Sequence, residues 1–208
     1  MKKETLAIYN DLFTRYPDLE VCKQDILIAF EIIATSLKKG NKLLLCGNGG
    51  SSSDAEHIVG ELLKNFKKHR KLDEKVEKAL SKEPELLQGL EKGYPAISLV
   101  SQTGFITAYM NDHDPEFIFA QQVSVYGDKG DVLIALSTSG NSKNCVNAAK
   151  VAKALGLEVI SLTGQKESLL SDISSVTIKV PETETYKIQE RHLPIYHALC
   201  MMIEEELG

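Results

Sequence analysis

Five short apolar runs govern what this chain can fold into: Leu43-Leu44-Leu45-Cys46, Ala96-Ile97-Ser98-Leu99-Val100, Val132-Leu133-Ile134-Ala135-Leu136, Val159-Ile160-Ser161-Leu162 and Val176-Thr177-Ile178-Lys179-Val180. Each is followed by a polar turn and most then by a helical stripe, the order of a strand leading into a covering helix. Runs apolar on both faces are what central strands covered from both sides require, so the pattern predicts an α/β fold with a parallel sheet between helical layers. Ligands of such sheets collect at the carboxyl ends of the strands. That rule singles out residues 47–53, 101–104, 137–142 and 163–168. Two earlier stripes at helical spacing, Leu6-Tyr9-Leu12-Phe13-Tyr16 and Ile26-Ile28-Phe30-Ile33-Leu37, predict a pair of N-terminal helices within residues 1–40, the second ending at Gly40.

With 208 residues and 43% hydrophobic side chains, the composition is that of a globular protein and excludes disorder as the main state. A chain this long buries roughly 70% of its unfolded surface as one domain, so residues 1–208 are read as a single unit. Its 24 basic and 29 acidic residues leave a net charge of -5. No global field then attracts nucleic acid, which is not an expected partner, and any anionic ligand must be held by local chemistry. The four cysteines form no C-x-x-C pair and sit mostly in apolar runs, which points to buried free thiols and a reducing cytoplasm. No window approaches the roughly 18 apolar residues of a membrane span. Residues 65–92 read as an exposed, charged helical insertion in which Pro84 is placed to start a short helix. Its basic start, Lys67-Lys68-His69-Arg70-Lys71, is either a solvated run or an anion patch.

Four constellations can carry chemistry. Gly47-Asn48-Gly49-Gly50-Ser51-Ser52-Ser53 lies between a strand and a helix expected to begin near Asp54, where backbone N–H groups and hydroxyls can meet an oxygen-rich ligand. It lacks the third glycine of a dinucleotide fingerprint and the Lys-Ser/Thr pair of a P-loop, so no nucleotide cofactor is expected. Its structural alternative is a capping box of Ser53 and Glu56. Ser137-Thr138-Ser139-Gly140-Asn141-Ser142 also joins a strand to a helix, and its hydroxyls and free N–H groups suit a phosphate without any lysine, unless the serines merely cap the helix. His57 and Glu61, four residues apart, share one helical face and are able to bind a metal or move protons, or simply to pair. In Gln189-Glu190-Arg191-His192-Leu193-Pro194-Ile195-Tyr196-His197, an ideal helix eclipses Glu190 with His197, but a kink at Pro194 leaves the choice between Gln189 and Glu190 open. His192 fits core or surface equally.

In this order, Cys46 to Ser51 with His57 and Glu61, Asn111-Asp112, Ser137 to Ser142, and Ile188-Gln189-Glu190 followed by His197 closely resemble the phosphoheptose isomerases, a family of sugar isomerase (SIS) domain proteins. The resemblance covers nearly the whole chain except about residues 65–92. It implies a flavodoxin-like, five-stranded parallel sheet between helices, with residues 1–40 packing in a homotetramer whose active sites lie at subunit contacts. It implies conversion of D-sedoheptulose 7-phosphate to D-glycero-D-manno-heptose 7-phosphate. By the same resemblance Ser137, Thr138, Ser139 and Ser142 hold the phosphate, while Asn48, Gly49, Gly50, Asn111 and Asp112 contact the sugar. His57, Glu61, Gln189 and His197 match zinc ligands, which settles the Gln189 question, and Glu61 and His197 match the acid/base pair. Two departures bear on the substrate: Asn65 stands where the family usually has arginine, and the segment before Pro95 is longer. The basic start of that segment is the candidate substitute for the missing cation. The alternatives are a non-catalytic SIS scaffold, which lacks the positions of Glu61 and His197, a sugar-phosphate sensor, or an isomerase of another ketose phosphate.

Overall fold

Alternation of side chains along the apolar runs sorts the core into two halves. In the computed structural model, which describes residues 1–208, strands β1 (Leu43–Gly47), β2 (Ala96–Ser98), β3 (Val132–Leu136), β4 (Glu158–Thr163) and β5 (Val176–Lys179) pair in parallel in the order β2-β1-β3-β4-β5. Leu43, Leu45, Val132, Ile134 and Ile160 point into one core, and Leu44, Cys46, Leu133, Ala135 and Val159 into the other. The first is covered by α1 (Lys3–Arg15), α2 (Lys23–Lys38), α3 (Gly50–Leu63) and the C-terminal helix α10 (Thr185–Leu207). The second is covered by α7 (Ile118–Tyr126), α8 (Lys143–Leu155) and α9 (Leu169–Ile173). This is the three-layer, flavodoxin-like strand order, whose topological switch point falls between β1 and β3. All four cysteines are free and buried, and no helix is long and apolar enough to cross a membrane.

Between α3 and β2 the chain forms two short helices, α4 (Glu74–Ala79) and α5 (Pro84–Gly89), which bury none of their residues. α6 (Thr103–Asp112) likewise buries none. The basic start of residues 65–92 behaves differently. Arg70 is only 3% exposed. Its guanidinium donates to the carbonyls of Leu62 and Lys64, lies 4.7 Å over the Tyr94 ring and sits 3.7 Å from Glu204 on α10. The buried Glu204 carboxylate also accepts the backbone N–H groups of Phe66 and Lys67 at 2.8 Å and of Lys68 at 3.1 Å. Arg70 therefore belongs neither to an anion patch nor to a solvated run. It anchors the segment to α10 and is unable to serve as the missing cation.

His192 is a core residue, fully buried on α10 with Nε2 3.4 Å from the Thr163 carbonyl. Burial pushes its pKa down to about 4. The unfolded chain binds this proton more readily, so the contribution to stability is complete above pH 6.5 and is lost as pH falls towards 4, about 3 kcal/mol in all.

Two measurements check these packing arguments. Replacing Glu204 with alanine leaves Arg70 as an unpaired buried charge and should lower the unfolding free energy in urea by about 3–5 kcal/mol; a loss below 1 kcal/mol would show the anchor to be idle. Unfolding free energies measured from pH 7 to 4 should fall more steeply for the native chain than for His192→Leu, and parallel curves would contradict the buried neutral imidazole.

Candidate active site

β1 and β3 are neighbours whose last residues, Gly47 and Leu136, are directly paired, so the turns that follow them leave the sheet side by side. In the first turn α3 begins at Gly50, four residues before Asp54. The reason is Gly49, whose φ of +55° turns the chain directly into the helix, a conformation with little cost only for glycine. The Ser53–Glu56 capping box is consequently not formed. The Ser52 and Ser53 N–H groups donate to the Gly49 carbonyl, and Glu56 accepts from the Ser101 hydroxyl at 2.8 Å. In the second turn Ser142 occupies the N-cap position of α8, yet its side chain caps nothing. Its hydroxyl lies 2.9 Å from that of Ser137. The N–H groups of Ser139, Ser142 and Lys143 donate to no protein acceptor. Hydroxyls and free amides thus line a cleft of about 420 Å³ whose walls include Asn48, Gly50, Ser137, Thr138, Ser142 and Gln189. Ser139 turns aside: its hydroxyl accepts from the Asn141 N–H at 3.2 Å, and it borders an adjoining depression of about 200 Å³.

Gln189 lines the cleft, while Glu190 is exposed. The Gln189 carboxamide packs so closely on Gly50 that a Cβ there would lie 2.7–2.9 Å from its atoms. Two turns further along α10, the half-buried His197 faces α3. Its Nε2 is 3.5 Å from Nε2 of His57, whose own Nε2 is 3.3 Å from Glu61 Oε1. The two imidazoles cross edge to face at 4.9 Å, and Phe66 closes on His197 at 5.6 Å. Burial, followed by the neighbouring His57, pushes the His197 pKa below its ordinary value. On its far side His197 borders a groove of about 600 Å³ formed with Arg15, Tyr16 and Phe66. Within one chain the cradle and His197 therefore line separate cavities. Asn111 and Asp112 stand at the exposed end of α6, the former's amide bonded to the latter's carboxylate at 2.8 Å, outside the lining of the cleft.

Several site neighbours escape a reading of the sequence. Asn144 and Asn48 exchange two carboxamide hydrogen bonds at 2.9 Å, and Asn144 Oδ1 also accepts the Cys145 N–H at 2.9 Å. This clasp ties the first turn to the start of α8 and fixes which way both amides point. Its only sequence signal is an asparagine two residues after the last serine of the second turn. Lys64, not Asn65 or Arg70, brings a cation to the site, its ammonium 3.0 Å from Glu61 Oε2. Tyr196 is buried beside His57 with its hydroxyl 3.1 Å from both His57 Nδ1 and Asp54 Oδ1.

Comparison with known proteins fits this geometry. A family model described as SIS domain matches residues 18–94 and 91–164. A phosphoheptose isomerase of Helicobacter pylori is 39% identical over 209 residues, covering 100% of this chain and 96% of that protein. The chain belongs to the phosphoheptose isomerase family. Another member, from Aliarcobacter butzleri, is 37% identical over 91% of this chain and 89% of its own length. A solved phosphoheptose isomerase from Francisella tularensis superposes with a TM-score of 0.75 at 29% identity, covering 99% of this chain and 100% of that one. The five-stranded parallel sheet is thus the family's fold.

The close approach of Gly50 to Gln189 is directly testable. Gly50→Ala should lower the melting temperature through about 1–3 kcal/mol of overpacking, and Gln189→Ala in the same chain should restore it. Failure of the second change to restore stability would place the strain elsewhere in α3.

Proposed function

We propose that this chain is an aldose–ketose isomerase that converts D-sedoheptulose 7-phosphate to D-glycero-D-manno-heptose 7-phosphate, with Glu61 and His197 as the acid/base pair. The observation that carries the proposal is their convergence on His57 from α3 and α10, although they are remote in the sequence. The reaction removes a proton from C1, passes through a cis-enediolate and returns a proton to C2, so it needs a base, an acid at the oxygens and a stabiliser of negative charge. Glu61 presents Oε1 towards the His57 imidazole while Lys64 holds Oε2, which supplies an aligned carboxylate with a cation beside it. His197, its pKa lowered, keeps a neutral imidazole near pH 7 and is able to accept a proton. The scaffold alternative gives no role to this pair.

The phosphate is assigned to Ser137, Thr138, Ser139 and Ser142, through hydroxyls in the cleft and through the free N–H groups at the start of α8. Asn48, Gly49, Gly50, Asn111 and Asp112 are assigned to the sugar chain. Gln189 and His197 are eight residues apart on α10, a rise of about 12 Å, which suits a long phosphorylated chain stretched from cradle to imidazole.

Zinc is assigned to His57, Glu61, Gln189 and His197. A tetrahedral zinc about 2.0–2.1 Å from each nitrogen sets neighbouring ligand atoms about 3.3–3.4 Å apart; His57 Nε2 is near that spacing from His197 Nε2, at 3.5 Å, and from Glu61 Oε1, at 3.3 Å, while the Gln189 carboxamide packs on Gly50 in the cleft and would have to turn to join them. When bound, the metal supplies a Lewis acid for the sugar oxygens at C1 and C2. A homotetramer is supported by α6, which buries none of its residues although it carries Phe105, Ile106 and Met110. The four buried free thiols favour a reducing cytoplasm.

Incubating the protein with a panel of ketose 7-phosphates and following aldose formation by NMR, with and without zinc, tests the reaction. Glu61→Gln and His197→Ala should each lose at least about 10²-fold in kcat with an unchanged melting temperature. Turnover at the native rate in either variant would end the acid/base assignment. Ser137→Ala should raise KM more than Ser139→Ala, whose hydroxyl is already engaged by Asn141.

A further inference from the structure

The proposed site uses one nitrogen of His57, Nε2, which faces Glu61 and His197. The other nitrogen points into the protein. Its partner is the Tyr196 hydroxyl at 3.1 Å, and that hydroxyl donates to Asp54 Oδ1, also at 3.1 Å. Tyr196 is 2% exposed, and the second oxygen of Asp54 is buried with no partner. The three residues come together because Asp54, His57 and Glu61 follow one another at three- and four-residue spacing along one face of α3, against which α10 lays Tyr196.

A phenol has one proton to give. At neutral pH a phenol keeps that proton. An ionised carboxylate only accepts hydrogen bonds, so the phenol proton is committed to Asp54 and only an oxygen lone pair remains for His57. The contact with His57 is then a hydrogen bond only when Nδ1 carries the imidazole proton. In a neutral ring this leaves the lone pair on Nε2, so the relay has to hold that tautomer against Glu61 Oε1, which at 3.3 Å would accept a proton from Nε2.

We propose that Asp54 and Tyr196 form a hydrogen-bonded relay that locks His57 in its Nδ1–H tautomer and so makes Nε2 the acceptor that faces the site. Both are positioning residues, since neither borders the cleft and both act through His57. A ring fixed in this way presents a lone pair ready for a cation, whereas the opposite tautomer would aim an N–H at the position assigned to zinc. Partners of this kind are the usual means by which a ligating imidazole is oriented and made more basic. The inference rests on the reading of His57 as a zinc ligand only for its consequence; the tautomer itself is a property of the metal-free protein.

The experiment follows from that separation. In the full chain labelled with ¹⁵N-histidine and freed of metal by chelation, long-range ¹H–¹⁵N correlation should show His57 with a protonated Nδ1 and an unprotonated Nε2. Tyr196→Phe should lose this pattern and give both tautomers. Titrated with zinc alone, Tyr196→Phe should bind about 10–100-fold more weakly than the native chain. A proton on Nε2 in the native protein would overturn the relay without need of any variant. So would a Tyr196→Phe protein with both the native tautomer and the native zinc affinity. A native protein that shows the Nδ1–H pattern but turns over no ketose phosphate would confirm the relay and defeat the proposed function instead.

Discussion

The parallel pairing of β1 with β3 is the constraint on which the site depends. Because Gly47 and Leu136 are in register at the switch point, the turns after both strands emerge at one height on the same side of the sheet. Each turn then opens a helix, α3 or α8, and both turns line one cleft, to which the start of α8 brings unpaired amides. A shift of one residue between these strands would exchange the two faces of β1 or β3 and bury the turns at different levels. The Asn48–Asn144 exchange pins the two turns together above the sheet, so their relative position is fixed twice.

α10 imposes the second constraint. It spans 23 residues with one side buried, and that side carries features serving different purposes. Gln189 meets Gly50 at the cleft, Tyr196 reaches Asp54, and Glu204 gathers the amides of Phe66 to Lys68. His197 and Glu204 are seven residues apart, two turns on one face. The carboxylate that anchors the inserted segment therefore also sets Phe66 against the His197 ring. The insertion is tied to the site at its root, while its short helices α4 and α5 lie outside the core.

Much of this was legible in the sequence because it obeys local rules. The five apolar runs gave the sheet, since both-face hydrophobicity has few other uses, and the sequence of turns after them marked the loops that form the cleft. What failed did so for identifiable reasons. The Ser53–Glu56 cap was displaced because Gly49 starts the helix earlier than a serine cap would. The helical angle left the choice between Gln189 and Glu190 open because spacing does not record what α10 packs against; Gln189 meets Gly50 and Glu190 is exposed. Arg70 read as one more surface charge in a basic run because its partner, Glu204, is 134 residues away and no local pattern records that distance. Tyr196 and Asn144 were invisible for the same reason: each is defined by a hydrogen bond across the sheet or between helices, not by spacing along the chain.

The two ends of the site differ in electrostatic character, and the difference follows from their construction. The cradle contains hydroxyls, two glycines and free amides but no charged side chain among its lining residues. An anion there would be held by dipoles at the start of α8, and no lining side chain titrates between pH 5 and 9, so only the ligand's own phosphate, whose second pKa is about 6, changes charge in that interval. The far end holds Glu61, Lys64, His57 and His197 within a few ångströms of one another. Charge placed at that end responds to every proton gained or lost by its neighbours, as proton transfer requires. Under the proposed function, a substrate bound across both ends would be positioned by a part of the protein that does not change charge while its other end reacted with a part that must. Mixing the two, for instance by a lysine in the cradle, would strengthen phosphate binding but would make positioning depend on a side chain with long rotatable reach instead of fixed backbone dipoles.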